Sequence, residues 1–442
     1  MAGFKHLFGG SGLRKQEGSS DPLEILVLSS WAPPTIGGPQ YLYNLFSNFR
    51  DDSYVILTSA RSIDHGSGTT GTWLRGKYVF YDSKDGWKPD TVVSGAPAGR
   101  RPFPERVARF LEKVPLIGLP ALEILGLLRS VKAFVVSALR ITRSANVKLL
   151  LGFSDWGPAL LGTYIVHALT KIPYAVFYFD LYSGNLLPPV QRLLARVFEP
   201  ILLKHASAVI LTNEETGKYL RRRHGGELRY EIVPNSVFPE EYNRFLTPFD
   251  PTPPYTILFT GSAYWPQEAP LLNIIRAMDR LRDIPVRLDL HMPNVPDTIR
   301  KAVTGKPNIR LTSTLKPQSE MHRMQCGATL LFLPLAWNTK APDIIATASP
   351  GKLTDYLASG RPMLVHAPDY SFVSRYAKDH GTGIVVDKDD VDALAGAIRR
   401  FCQEPLSGRQ YVEKALGISA ERHDARRNAA KLWDILTEAA AR

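Results

Sequence analysis

The segment Ala348-Ser-Pro-Gly-Lys-Leu-Thr-Asp-Tyr-Leu-Ala-Ser-Gly-Arg-Pro362 concentrates more chemistry than any other stretch of the chain. Ser349 reads as an N-cap, Pro350 as the first helical position and Gly360 as the stop, which predicts a short helix over 351–358. Such a helix aims free N–H groups and the positive end of its dipole at whatever lies beyond Ser349. Lys352 stands in the first turn, where a cation opposes the dipole unless an anion is bound between the two. A phosphate or diphosphate fits that description. Asp355 lies one turn on, on the same face, with the reach to accept hydrogen bonds from a ribose diol. The competing reading is a surface helix carrying an ordinary Lys–Asp pair.

Three further places carry candidate chemistry. Gly37-Gly38 falls between the first strand and the first helix, where glycines let the backbone approach a ligand. The pair is not part of a GxGxxG run, so no dinucleotide fingerprint is read there. Asp180 and Asp155 each end a strand, the position at which parallel sheets bind ligands, and capping of the next helix is the plainer alternative for both. His291, His366 and His380 are isolated and read as structural, and no metal is assigned. Cys326 and Cys402 form no CxxC pair, so neither a zinc nor a redox motif is expected, and a reducing cytosol fits.

These residues need strands and helices to position them, and the pattern supplies both. Glu24–Ser30 is a continuous apolar run of the kind found in parallel sheets covered on both faces. Further strands are predicted over 54–58, 78–81, 147–153, 174–179 and 208–212, alternating with helices over 41–49, 158–169, 190–204 and 214–223. Six prolines between Pro234 and Pro254 then mark a linker. The alternation restarts with strands over 256–260, 287–291, 309–312, 329–333, 363–366 and 383–386. The fold class expected is α/β, with two Rossmann-like doubly wound domains facing across a cleft. The boundaries read as a flexible tail over 1–20, an N-terminal domain over 21–240, a Pro-rich linker over 241–255 and a C-terminal domain over 256–417. A charged amphipathic helix over 418–442 is expected to return to the first domain.

Length and composition agree with this reading. The 442 residues are 44% hydrophobic and 22% charged, which excludes a disordered chain, a collagen-like repeat and a disulfide scaffold. No run of 18 uncharged apolar residues is present, so no membrane-spanning helix is expected. The net charge of +12 is uneven: residues 101–150 hold nine basic and three acidic side chains, a local excess of +6. That excess implies an anionic partner. The same stretch is rich in Leu, Ile and Val, so an insert over 97–145 reads either as peripheral attachment to anionic lipid or as a helix pair with Arg on its outer face. No nucleic-acid motif accompanies the charge.

The Gly37-Gly38 loop, the strand Ile257-Leu-Phe-Thr-Gly261 and the Ser349–Pro362 segment together resemble the GT-B retaining glycosyltransferases of the group 1 / family 4-like type. The similar branch has the signature Pro-Ser-Lys-Leu-x-Glu-Tyr-Leu-Ala-x-Gly-Lys-Pro. The resemblance implies an NDP-sugar donor, UDP- or GDP-linked, held without metal by the C-terminal domain through Gly261, Ser262, Ser349, Pro350, Gly351, Lys352, Leu353 and Asp355, with Gly37 and Gly38 contributing from the N-terminal domain. It implies a glycan or lipid-linked acceptor in the N-terminal domain, with Asp180 and Lys352 as catalytic residues. The expected reaction is sugar transfer with retention in cell-surface polysaccharide or glycolipid synthesis, in the cytoplasm at the inner face of the membrane. Alternatives are a nucleotide-sugar epimerase or hydrolase, or a non-catalytic homologue that binds membrane or a partner. The chain departs from the family in having Thr347 where the first of two glutamates stands, Asp355 for the second, and Ser262 and Gln267 near a missing Arg/Lys clamp. Lys352, with Lys340 or Arg375, is then left to neutralise the phosphates.

Overall fold

A computed structural model describes residues 24–33, 38–60, 73–82, 118–155 and 158–442. The first of its two sheets contains β1 (Glu24–Leu28), β2 (Tyr54–Thr58), β3 (Lys77–Phe80), β4 (Val147–Phe153), β5 (Tyr174–Tyr178), β6 (Ala208–Leu211) and β7 (Glu231–Ile232). Their spatial order is β3-β2-β1-β4-β5-β6-β7, and every pairing is parallel. Between them run α1 (Gly38–Phe46), α2 (Gly118–Ser144), α3 (Ala159–Thr170), α4 (Pro189–His205) and α5 (Glu214–His224), followed by α6 (Pro239–Asn243).

The second sheet contains β8 (Tyr255–Thr260), β9 (Val286–His291), β10 (Ile309–Thr312), β11 (Leu330–Pro334), β12 (Met363–His366) and β13 (Gly383–Val386), ordered β10-β9-β8-β11-β12-β13 and again parallel. Its helices are α7 (Trp265–Ala277), α8 (Asp297–Val303), α9 (Gln318–Cys326), α10 (Pro342–Thr347), α11 (Gly351–Ala358), α12 (Phe372–His380), α13 (Val391–Gln403), α14 (Arg409–Arg422) and α15 (Ala425–Ala440). The strand order reverses beside β1 and beside β8, which opens a crevice at the carboxyl ends of β1/β4 and of β8/β11.

The apolar strand pattern has a direct cause. Along β5, Tyr174, Val176 and Tyr178 enter one buried cluster, and Ala175 and Phe177 enter another on the opposite face. Ile257 and Phe259 of β8 likewise face away from Leu258. With both faces covered, no polar alternation survives.

Three expectations about elements are corrected. The stretch from Gly118 is one 27-residue helix, where a helix pair was one of the two expectations. Pro120 falls in its first turn, where no backbone donor is needed, and Gly126 is tolerated among good helix formers. The helix expected across 418–442 is split in two at His423, because the Asp424 side chain accepts from Arg427 N and starts a new helix. The second piece, α15, places Ala429, Leu432, Leu436 and Ala439 in the core beside Leu149, Leu151 and Phe177 of the first sheet. Within the Pro-rich stretch, α6 packs on the second half, with Tyr242 buried and stacked 4.1 Å from the ring of His322.

The described part of the basic stretch has two characters. Val131, Phe134, Val135, Ala138 and Ile141 of α2 are buried in the core, while Ile124, Leu125, Leu128 and Val136 are exposed. Arg129, Lys132, Arg140 and Arg143 are also exposed. Beside α2, helix α4 exposes Leu193, Leu194, Val197 and Ile201. Among the described residues, no helix is long and apolar enough to cross a membrane. Arg101, Arg106, Arg109 and Lys113 lie outside the described residues.

Candidate active site

Helix α11 forms where the sequence places it, but its cap is corrected. Pro350, extended at φ −67° and ψ 146°, holds the N-cap position, Gly351 is the first helical residue and no side chain caps the helix. Proline already supplies the extended geometry that a cap needs, so Ser349 is displaced outward. The Ser349 carbonyl accepts from Asn235 Nδ2 at 2.7 Å, and the Thr347 carbonyl accepts from Asn213 Nδ2 at 2.9 Å. Both amides belong to the first half of the chain. The approach to α11 is therefore held by one half and the helix by the other. Gly360 closes the helix at φ +67°, a conformation that favours glycine.

Lys352 folds back over the end of β8. Its Nζ lies 3.5 Å from the Ser262 carbonyl and 5.1 Å from the centroid of the Phe259 ring. Gly261 turns the chain there at φ +96°, and a Cβ at that position would stand 3.1 Å from Lys352 Cε. Burial pulls the Lys352 ammonium from its ordinary 10.5 down to about 8, with Asp355 opposing the shift. Burial likewise lifts the Asp355 carboxyl to about 6, against the Tyr242 hydrogen bond and the Lys352 charge. Tyr242 donates to Asp355 Oδ1 at 2.8 Å. The Leu353 side chain is fully buried in the core and its N–H bonds the Pro350 carbonyl at 2.9 Å, so it holds the helix.

Opposite α11 stands Tyr41 of α1, a residue the sequence reading passed over. Its hydroxyl lies so close to Gly351 that a Cβ on that glycine would collide with it. Burial raises the Tyr41 phenol, and the nearby charges of Asp355, Tyr264 and Asp180 push the same way. Tyr41, Tyr264, Asp180, Asp355 and Lys352, drawn from both halves, thus lie within reach of one another's charges. Asp180 is exposed at the end of its strand, yet the protein around its carboxyl excludes enough water to raise it above the usual range. Ser154 Oγ donates to the Asp180 carbonyl at 2.7 Å and accepts from Phe179 N at 3.1 Å, fixing the strand end. Gly38 opens α1, and Gly37 lies outside the described residues. The only sequence signal for Tyr41 was its place one turn into the helix after the glycine pair.

Other candidates have structural partners. The Asp155 carboxylate accepts from Ser30 N, and from Ser29 Oγ and Ser30 Oγ at 3.2 Å each, tying down the loop after β1. Arg375 is engaged by Glu215 at 2.8 Å across the two halves. Gln267 is buried at the start of α7, and Thr347 donates to the Asp343 carbonyl at 2.8 Å. His366 bonds the Val386 carbonyl and Asn273, and burial lowers it to about 4. Two Asp-x-Asp spacings escaped the sequence reading, Asp387-Lys-Asp389 and Asp390-Val-Asp392. Asp387 pairs with Lys378, Asp389 accepts from Asn273, Asp390 caps α13 and Asp392 pairs with Arg280. Among the described residues, no three His, Cys, Asp or Glu side chains gather as metal ligands.

Comparison with known proteins places this geometry in context. Residues 83–236 match the model of a glycosyl transferase 4-like domain, and residues 254–404 match that of glycosyl transferases group 1. No curated protein sequence matches the chain. Among solved structures, sucrose-phosphate synthase from Thermosynechococcus elongatus superposes with a TM-score of 0.62 at 14% identity, over 95% of this chain and 99% of that one. A glycosyltransferase from Rickettsia africae gives 0.62 at 12% identity, with the same two coverages. HepE from Anabaena, solved with UDP, gives 0.60 at 11% identity over 94% of this chain and 99% of its own. At such identities the likeness is one of fold, whereas the two matched models are read from the sequence itself. Two parallel sheets meeting at a shared crevice, the first half matched as 4-like and the second as group 1, make this chain a GT-B glycosyltransferase of group 1.

Proposed function

We propose that the protein transfers a sugar, with retention and without a metal, from a nucleoside diphosphate donor to an acceptor hydroxyl. The observation that carries this reading is the uncapped N-terminus of α11, with Lys352 laid across the Gly261 turn beside it. Residues 256–417 take the donor and residues 21–240 the acceptor. The N–H groups of Gly351 and Lys352 and the Lys352 ammonium meet the charge that grows on the departing diphosphate. Asp355 receives a ribose hydroxyl, and Asp180 faces the reacting sugar from the other side of the crevice. UDP is the favoured nucleotide, because HepE of Anabaena has been solved with UDP and with UDP-glucose.

The acceptor belongs to cell-surface polysaccharide or glycolipid synthesis in this reading, and the enzyme works at the cytoplasmic face of a membrane. The exposed apolar side chains of α2 and α4, flanked by Arg129, Lys132, Arg140 and Arg143, support the membrane contact.

Isothermal titration with UDP, UDP-glucose, GDP and GDP-mannose tests the donor. A nucleotide at 100 times its Kd should also stabilise the fold by about 2.7 kcal/mol. Nucleotide release from the sugar donor that needs no acceptor would mark a hydrolase instead. Failure of every nucleotide and nucleotide sugar to bind would mark a non-catalytic homologue.

A further inference from the structure

A second cavity lies across the two halves, away from the N-terminus of α11. Arg192 and Arg196 of α4 and Arg223 of α5 line it from the first half, and Lys340 with Asp343 line it from the second. Four cations less one carboxylate leave a net charge of +3 around a cavity of about 110 Å³. None of the four cations has an ion-pair partner within 4.0 Å among the described residues. Unpaired like charges held together repel one another, and a bound anion removes that repulsion.

Two buried donors strengthen the case. Arg192 Nε is buried and has no hydrogen-bond partner among the described residues, and the Tyr219 hydroxyl, on a side chain only 6% exposed, has only the Arg223 guanidinium beside it. Buried donors are rarely left unpaired unless a ligand or water completes them. The wall behind them is built: Ser183 Oγ donates to Oε2 of buried Glu199 and accepts from Arg223 Nε at 3.1 Å, and His224 Nε2 meets the same Oε2 at 2.7 Å. Glu199 thereby orients Arg223 without lining the cavity itself.

We propose that this cavity binds a phosphoryl group carried by the acceptor. Its volume is far below the roughly 300 Å³ at which small-molecule pockets begin, so it suits one group of a larger ligand. A net +3 favours a dianionic phosphate over a singly charged carboxylate. The six-residue helix α10, about 9 Å long at 1.5 Å per residue, separates Lys340 from the approach to α11. A donor diphosphate at Gly351 and a phosphoryl group here therefore occupy separate places in one crevice. The assignment to the acceptor rests on the transferase reading above.

The test titrates inorganic phosphate and UDP, separately and together, into the full-length wild type, the Arg196→Gln/Arg223→Gln variant, Arg196→Gln alone and Lys352→Met. The expected result is that phosphate binds the wild type and Lys352→Met alike, at least tenfold more weakly to the double variant, and without displacing UDP. UDP affinity should stay within twofold in both arginine variants. Arg196 is exposed, so its single variant keeps the test valid if the double variant fails to fold. Failure of phosphate to bind the wild type, or unchanged binding in the variants, overturns the proposal. Loss of UDP binding in the arginine variants also overturns it, because the cavity would then be the donor's own phosphate seat. If UDP fails to bind the wild type while phosphate binds and the variants lose it, the donor reading fails and the anion site stands.

Discussion

Replacing Lys352 by methionine should stabilise the empty protein while weakening its hold on a nucleoside diphosphate. Burial depresses the Lys352 ammonium from 10.5 to about 8, which corresponds to roughly 3 kcal/mol of penalty for keeping the charge in the folded state at neutral pH. The contact with the Phe259 ring offsets about 0.5–2 kcal/mol of this. Methionine keeps the unbranched stem and the helix propensity. A net gain of about 1–3 kcal/mol in unfolding free energy at pH 7 is therefore expected, read from urea titrations of the two proteins. The pH dependence fixes the sign. Between about pH 8 and 10.5 the unfolded chain holds a proton that the folded wild type has released, so wild-type stability rises with pH there. The gap between variant and wild type should close over that window. With nucleotide present the order inverts: losing a charge-assisted phosphate contact of about 1.5–3 kcal/mol should weaken UDP binding roughly tenfold to 150-fold. Wild-type affinity should itself fall above about pH 8, where binding must recover the proton. A variant less stable than wild type by 1 kcal/mol or more at pH 7, or a gap that stays flat to pH 10.5, refutes the reasoning.

Gly351→Ala should lower UDP affinity at least tenfold, because its Cβ drives Tyr41 and the start of α11 apart, and Tyr41→Ala in the same chain should restore part of it in the same titration. Asp355→Asn should raise the donor KM with a smaller effect on kcat, since a ribose contact is made before and during reaction alike. Its stability profile should differ too: wild type gains stability as pH falls from about 6 toward 3.8, where the folded state binds the extra proton, and the asparagine variant does not. Leu128→Glu with Val197→Glu should release the protein from anionic vesicles in co-sedimentation at low salt without lowering its unfolding midpoint, because both side chains are exposed. Equal pelleting of wild type and variant would remove α2 and α4 from the membrane contact.

The two parallel sheets were legible in the sequence because strands buried on both faces leave uninterrupted apolar runs, and α11 because a proline start and a glycine stop bracket eight residues. The Lys352 conflict was legible too, since an opposed dipole is a local property of one turn. Tyr41, Tyr242 and the two bridging amides, Asn213 and Asn235, were not. Tyr41 stands 310 residues before Gly351, and Tyr242 stands 113 residues before the carboxylate it engages. Periodicity reports which face of an element is buried, never which distant side chain meets it. The same limit hid the basic cavity: Arg192, Arg196, Arg223 and Lys340 are ordinary surface cations in sequence, scattered over 149 positions. Packing of the two halves against each other brings them to one place, and there their unpaired charge acquires a meaning.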